Sequence, residues 1–365
     1  MRALLPMVML VAGCGDNLVL DDTEEGRPVE DEPSFEEPAS RLAPDVCAVR
    51  SWPSVAFDGR DVDLAVAPTA TGAAIFTTAR SGGPLRGFTI DGSGQLTGKE
   101  TGTIVRDDQA FTAVSAGAVD GRLVTAAVGE QGAAIDLVRE DLGAFQNLTT
   151  SPGTVVGDLP IATSRLGRVA TIGDEAGLTA ISFDDSWTTS GTRLLSKAQP
   201  LSMTATRYLT DTMASWSTDT TCHLQRMAAG VTSQRNFACI GARIAASGPD
   251  REGYLVYEDG DRVMISQLRV GGESEIANQR ELVPNARSPR IVYDGARYWV
   301  SYIDVHDDVI VGYLEADGSL ASMALNGTQP QSEAYELAIV NNGLWVFAVD
   351  GGGVGAQRIC LRAVR

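Results

Sequence analysis

Residues 290–318 read Arg290-Ile-Val-Tyr293, Asp294-Gly295-Ala-Arg297, Tyr298-Trp-Val-Ser-Tyr-Ile303, Asp304-Val-His-Asp-Asp308, Val309-Ile-Val-Gly-Tyr-Leu314 and Glu315-Ala-Asp-Gly318. Each apolar run is short and rich in β-branched and aromatic residues, which pack well on a pleated surface. Between the runs stand Asp-Gly pairs and a polar loop. Asp-Gly is a strong hairpin signal, because glycine accepts the positive φ such turns require. The stretch reads as a meander of four antiparallel strands, A to D.

Laid along the chain, this template places A strands near Asp63, Thr112, Ile161, Met203, Ile244, Arg290 and Leu337, 41 to 49 residues apart. A near-constant period in this range with four strands per unit signals a ring or array of blades. The expected fold is all-β, a β-propeller of seven four-stranded blades over residues 45–365. The seventh unit has strands A, B and C and then stops. Val46-Cys-Ala-Val-Arg-Ser-Trp52 precedes the first A strand and has no unit of its own. The N-terminal strand is therefore expected to complete the last blade and remove an exposed sheet edge. The repeats resemble generic exported bacterial propeller units. No Trp-Asp signature, paired-Gly kelch pattern or sialidase aspartate box accompanies them, and Ser182-Phe-Asp-Asp-Ser-Trp187 only superficially suggests the last.

Hydrophobic residues make up 44% of the 365 and charged residues 21%, enough to build a core. Lys+Arg 29 against Asp+Glu 47 leaves a net charge of -18, which repels phosphate backbones and argues against nucleic-acid partners. The chain opens with Met1-Arg2, an apolar run from Ala3 to Ala12, and Gly13-Cys14. That run reads as a secretory leader, too short to remain as a membrane-spanning helix. Val11-Ala12-Gly13-Cys14 resembles the bacterial lipobox, and the resemblance implies a lipidated Cys14 (thioether-linked diacylglycerol and an acylated, palmitate-type amine) anchoring the protein in the cell envelope. Gly15 follows, not the Asp that marks inner-membrane retention, so the outer membrane is the expected destination. Residues 15–44 carry ten acids, two bases and four prolines, the composition of a solvated tether. The expected organisation is signal peptide 1–13, lipidated cysteine and tether 14–44, and propeller 45–365.

Setting Cys14 aside leaves Cys47, Cys222, Cys239 and Cys360, an even number in an oxidising compartment. Three pairings are open, and the blade template selects one. Cys222 and Cys239 fall on strands C and D of the fourth unit, flanking a hairpin around Ala229-Gly230. Cys47 falls on the closing strand beside Cys360 on strand C of the seventh.

Catalytic patterns are sparse. Ala113-Val-Ser115-Ala-Gly117 lacks the helix that a nucleophile elbow needs and reads as an inner strand. Gly351-Gly-Gly-Val-Gly355 lacks a surrounding βαβ unit and reads as a B–C loop. The five tryptophans suit packing between blades, with one or two at the channel mouth able to stack on a sugar. The B–C tips, by contrast, hold eleven acids and one base, where the A–B turns hold five acids and six bases. Summed carboxylate fields attract cations, and oxygen-rich loops suit Ca²⁺. Asp304, Asp307 and Asp308 with Asp259 and Asp261 form the densest candidate site for a metal or cationic ligand, and Asp174 and Glu175 form a second. The sequence thus favours a non-catalytic scaffold whose acidic face takes a basic protein or a glycan. The competing reading is an exported carbohydrate-active hydrolase or lyase using carboxylates, with or without Ca²⁺, at the channel mouth.

Overall fold

The computed structural model describes residues 42–52, 62–97, 100–119, 122–151, 161–164, 167–174, 177–208, 211–227, 234–245, 253–269, 275–325, 328, 330, 334–350 and 353–363. Among them there is no helix. After β1 (Leu42–Trp52) come β2 (Val62–Pro68), β3 (Gly72–Ala79), β4 (Gly83–Asp91) and the long β5 (Thr103–Val119). Next are β6 (Arg122–Gly129), β7 (Gly132–Val138) and β8 (Phe145–Ser151). Four-stranded sheets follow: β9 (Ile161–Ser164) to β12 (Thr189–Ser196) through β10 (Gly167–Asp174) and β11 (Gly177–Phe183), then β13 (Ser202–Tyr208) to β16 (Gln234–Ala238) through β14 (Asp211–Thr218) and β15 (Thr221–Met227). Two more are β17 (Ile240–Ala245) to β20 (Glu275–Pro284) through β18 (Gly253–Asp259) and β19 (Arg262–Arg269), and β21 (Arg287–Tyr293) to β24 (Leu320–Ala324) through β22 (Tyr298–Ile303) and β23 (Val309–Leu314). The last sheet joins β25 (Tyr335–Val340), β26 (Gly343–Asp350) and β27 (Gly353–Ala363) to β1.

The first two units share one strand. The first half of β5 pairs with β4 and the second half with β6, so β2 to β8 form one seven-stranded sheet. A template of separate four-stranded units did not anticipate this, because residues 103–119 lack a Gly or Pro break at the crossing. The first strands of the units touch in a closed circuit: β2 against β5, then β9, β13, β17, β21, β25 and back to β2. Second and third strands lie between neighbouring sheets, which is why β3, β6, β7, β22 and β23 are almost continuously buried. The fourth strand β12 faces solvent along most of its length. The hydrophobic clusters accordingly bridge sheets; one joins Trp52, Trp345 and Phe347 of the last sheet to Leu64, Ile75 and Phe88 of the first.

Closure is made as the missing seventh strand D implied, over a longer strand. β1 pairs antiparallel with β27 from Leu42↔Ala363 to Trp52↔Val354. Leu42 to Pro44, grouped with the tether by composition, are thus in the sheet, and Pro44 is tolerated because β1 has a partner on one side only. Some A strands also start earlier than the template placed them, β17 at Ile240 and β21 at Arg287. Gly353 and Gly355, read as loop, are strand residues of β27 paired with Asp350 and Ala348.

Both disulfides are formed. Cys47 and Cys360 join β1 to β27 with Cα atoms 5.8 Å apart, and Cys222 and Cys239 are joined at 5.3 Å. Cys239 is not on a strand D opposite Cys222. The register pairs Cys222 with Phe237, and Cys239 lies just past β16, its amide donating to the Thr220 carbonyl at 3.1 Å. Residues 228–233, where a hairpin was expected, lie outside the described residues.

Candidate ligand-binding channel

Inner strands converge on a central cavity of about 480 Å³ lined from β2, β5, β13, β17, β21 and β25. Its charged residues are Asp63, Arg80, Arg243, Glu258, Arg290 and Glu336, and Ser115, Ser202, Ser288 and Tyr335 add hydroxyls. Each charge also ties neighbouring strands together. Asp63 accepts the Val114 amide of β5 at 2.7 Å and pairs with Arg80 at 3.3 Å. Arg243 of β17 donates to the Met203 carbonyl of β13 at 3.0 Å. Glu258 accepts the Ser288 amide, and the Arg290 guanidinium lies 3.7 Å from Glu336 and 5.0 Å over the Tyr335 ring. The Tyr335 hydroxyl donates to the Ser288 carbonyl. Burial pushes the Tyr335 phenol up to about 12 against the opposing pull of Arg290, so it stays protonated and acts as a donor. Side chains anchored this way are pre-ordered, and a ligand meets fixed partners.

The acidic tips do different work. Asp304 Oδ1 accepts the amides of His306 at 2.8 Å and Asp308 at 3.1 Å, while Asp307 adopts φ 64° and its amide donates to the Asp304 carbonyl. The same five-residue turn recurs at Asp184, whose Oδ1 accepts Ser186 and Thr188 with Trp187 at φ 61°, and at Asp91, with Gly94 at φ 80°. An Asp at the first position closes the loop whatever surrounds it. Asp307 pairs with Arg287, and Asp259 pairs with Arg262 at 3.0 Å. Asp304, Asp307, Asp308, Asp259 and Asp261 do not converge: among the described residues no three His, Cys, Asp or Glu side chains meet as a metal site. Glu175 and the Asp174 side chain lie outside the described residues.

The five tryptophans are all buried at 5% exposure or less and none lines the channel, so a stacking platform at its mouth is not formed by them. Ser115 sits on β5 and faces the channel. His223 is bonded on both nitrogens, to Thr218 Oγ1 and Asn236 Oδ1 at 2.8 Å each, and stacks on Trp216. A hydroxyl–imidazole–amide line has the form of an activated nucleophile. Here, though, the register sets Trp216, His223 and Asn236 side by side across three strands, so cross-strand pairing alone accounts for it.

Sequence reading passed over the channel charges, apart from counting Arg80 and Glu258 among loop residues. Arg243 and Arg290 did carry a signal. Arg243 is the only charged residue of β17 and Arg290 directly precedes the apolar Ile-Val-Tyr run of β21, and period two places alternate strand residues on one face.

No family model and no curated sequence matches the chain. Among solved structures it is similar to the WD40 domain of Toxoplasma gondii coronin, at 11% identity and a TM-score of 0.59, covering 89% of this chain and 87% of that one. It is also similar to SapL1 lectin solved with alpha methyl fucoside, at 12% identity and a TM-score of 0.49, covering 74% of this chain and 98% of that one. Identities this low speak to architecture and not to ligand. The likeness to the coronin domain and the closed circuit of first strands make the described residues a β-propeller.

Proposed function

We propose that the protein is an exported envelope lipoprotein whose propeller, read as seven blades, binds a ligand or partner through its channel without catalysing a reaction. The observation that carries this reading is the channel itself. About 480 Å³ falls within the range of small-ligand sites, and its charges are fixed by strand-to-strand bonds. The acid tips support a second contact zone for a basic protein or a glycan, since Asp261 and its neighbours add to the negative field of the B–C face. Cys14 supplies the anchor and residues 15–40 the reach, with the outer membrane as destination.

Two experiments test it. Ala205→Trp fills the channel from β13 and should abolish capture of a ligand from glycan-array and pull-down screens while the fold persists by circular dichroism. Undiminished binding by that variant moves the site off the channel. Separately, Cys14→Ser should release the protein from the membrane fraction; equal retention rules out lipid anchoring.

A further inference from the structure

We infer that Cys47–Cys360 is a thiol-exchange site for an exported dithiol protein, and that cutting this bond frees the first half of β1 from the ring. Cys47 is the extra residue of a β-bulge. The register passes from Val46↔Ile359 to Ala48↔Arg358 and leaves Cys47 without a ladder partner, the kind of break that re-aims a side chain. Cys47 is exposed, on a strand with a sheet neighbour on one side only, and Cys360 beside it is half-buried. Cys222 and Cys239, by contrast, are 0% and 2% exposed. An attacking thiolate must reach a sulfur, so access alone separates the two bonds.

The bulge also divides β1 into halves held unequally. Beyond it, Trp52 is buried against Phe88 and Phe347, and the Arg50 guanidinium donates to the Ser93 carbonyl at 3.1 Å. Before it stand buried Pro44, partly buried Val46 and the Asp45–Arg362 pair at the surface, and the Tyr313 hydroxyl donates to the Leu42 carbonyl at 2.9 Å. A surface ion pair is worth little, and no large side chain of Leu42–Val46 is fully buried. The disulfide thus closes the half that packing holds less firmly.

The exchange balances within the two proteins. One partner thiolate attacks Cys47, the S–S bond breaks and Cys360 leaves. The second partner thiolate then attacks the mixed disulfide and releases Cys47. The partner gives up two electrons and closes its own disulfide, and its two thiol protons end on Cys47 and Cys360. Opening strips Ile359–Ala363 of β27 of their strand partner and bares a sheet edge. It also adds five residues, Leu42–Val46, to the preceding tether, about 17 Å at full extension. That gain in reach, unlike the exchange itself, rests on Cys14 being the anchor.

The test uses full-length protein carrying Cys14→Ser, equilibrated with graded ratios of reduced to oxidised dithiothreitol and read by alkylation and by amide hydrogen exchange. Over a range of ratios only Cys47 and Cys360 should be labelled. In that range exchange at 42–46 should rise roughly tenfold or more while exchange at 263–268 stays constant, and reoxidation should restore both. A Cys-x-x-Cys oxidoreductase recycled by the dithiol should speed the cut roughly tenfold or more. Cys47→Ser/Cys360→Ser should exchange fast at 42–46 at every ratio, and Cys222→Ala/Cys239→Ala should keep the redox response. Should the latter fail to fold, the former carries the comparison alone. Unchanged exchange at 42–46 after the bond is cut overturns the proposal. So do four labels at one ratio, a rise in exchange through every sheet, or a cut that the oxidoreductase leaves no faster. Membrane retention of Cys14→Ser removes the gain in reach and leaves the exchange site standing.

Discussion

The two disulfides hold the molecule in opposite ways. Cys222–Cys239 spans 17 residues within the fourth unit, from β15 to just past β16, and its sulfurs are buried among Met213, Leu224, Leu255 and Tyr257. Cys47–Cys360 spans 313 residues, and Cys47 is exposed on the outermost strand of the ring. In the chain-entropy account a bridge stabilises by restricting the unfolded chain, more so for longer loops, about 3 kcal/mol for the short loop and about 5–6 kcal/mol for the long one. The buried bridge, however, is also a piece of core. One bond fastens the ring, the other fills a sheet, and the difference separates topology from packing as sources of stability.

The closing strand should give the largest effect. Deleting residues 42–52 removes the bridge, the Asp45–Arg362 ion pair at 2.6 Å and buried Trp52, and bares the edge of β27. We expect the melting temperature to fall by about 10 °C or more, whereas deleting 15–40 should leave it unchanged. A normal melt for the first deletion means the ring closes without β1.

Next in size, Cys47→Ser/Cys360→Ser should lose more stability than Cys222→Ala/Cys239→Ala in urea unfolding, by about 2 kcal/mol. The reverse order would show that cavity formation beside Tyr257 outweighs loop closure.

Reduction sharpens the contrast kinetically. A dithiol added to the native protein should open Cys47–Cys360 first, passing through a mixed disulfide and ending with two protein thiols and oxidised reagent. Mass spectrometry after alkylation should find two labels, on Cys47 and Cys360. Four labels appearing together would mean that Cys222 and Cys239 are reached without prior ring opening.

The smallest effect is expected at Asp294, in a turn remote from either bridge. Burial works against its charge. The indole of Trp299 at 2.6 Å and the amides of Arg297 and Ala296 at 2.7 Å each outweigh that and hold the carboxyl below its usual 3.8. A carboxylate depressed in the folded state stabilises the protein above its unfolded value, and that contribution disappears as pH falls through the lower folded one. Asp294→Asn should therefore cost about 1–2 kcal/mol at neutral pH and little at pH 2. A constant difference across that span would assign the loss to packing.

Much of this architecture lies on the surface of the sequence. Turn dipeptides are local, since Asp-Gly at 294–295 and the apolar runs beside it bend and pair wherever they occur. Repetition of that local pattern sets the strand order, and a seventh unit lacking its last strand beside an orphan N-terminal strand sets the closure. The cysteine pairs follow once neighbouring strands are known. Tertiary structure decided what repetition cannot encode. The merger of the first two units through β5 depends on a strand passing from one sheet to the next without a break. The acidic tips look like a metal site when counted, but Asp304 Oδ1 accepts the amides of its own turn while Asp307 and Asp259 pair with Arg287 and Arg262, and only coordinates reveal where an oxygen points. The channel is the opposite case. Arg243 and Arg290 are 47 residues apart in sequence and line one cavity only because a closed ring brings the inner strands together.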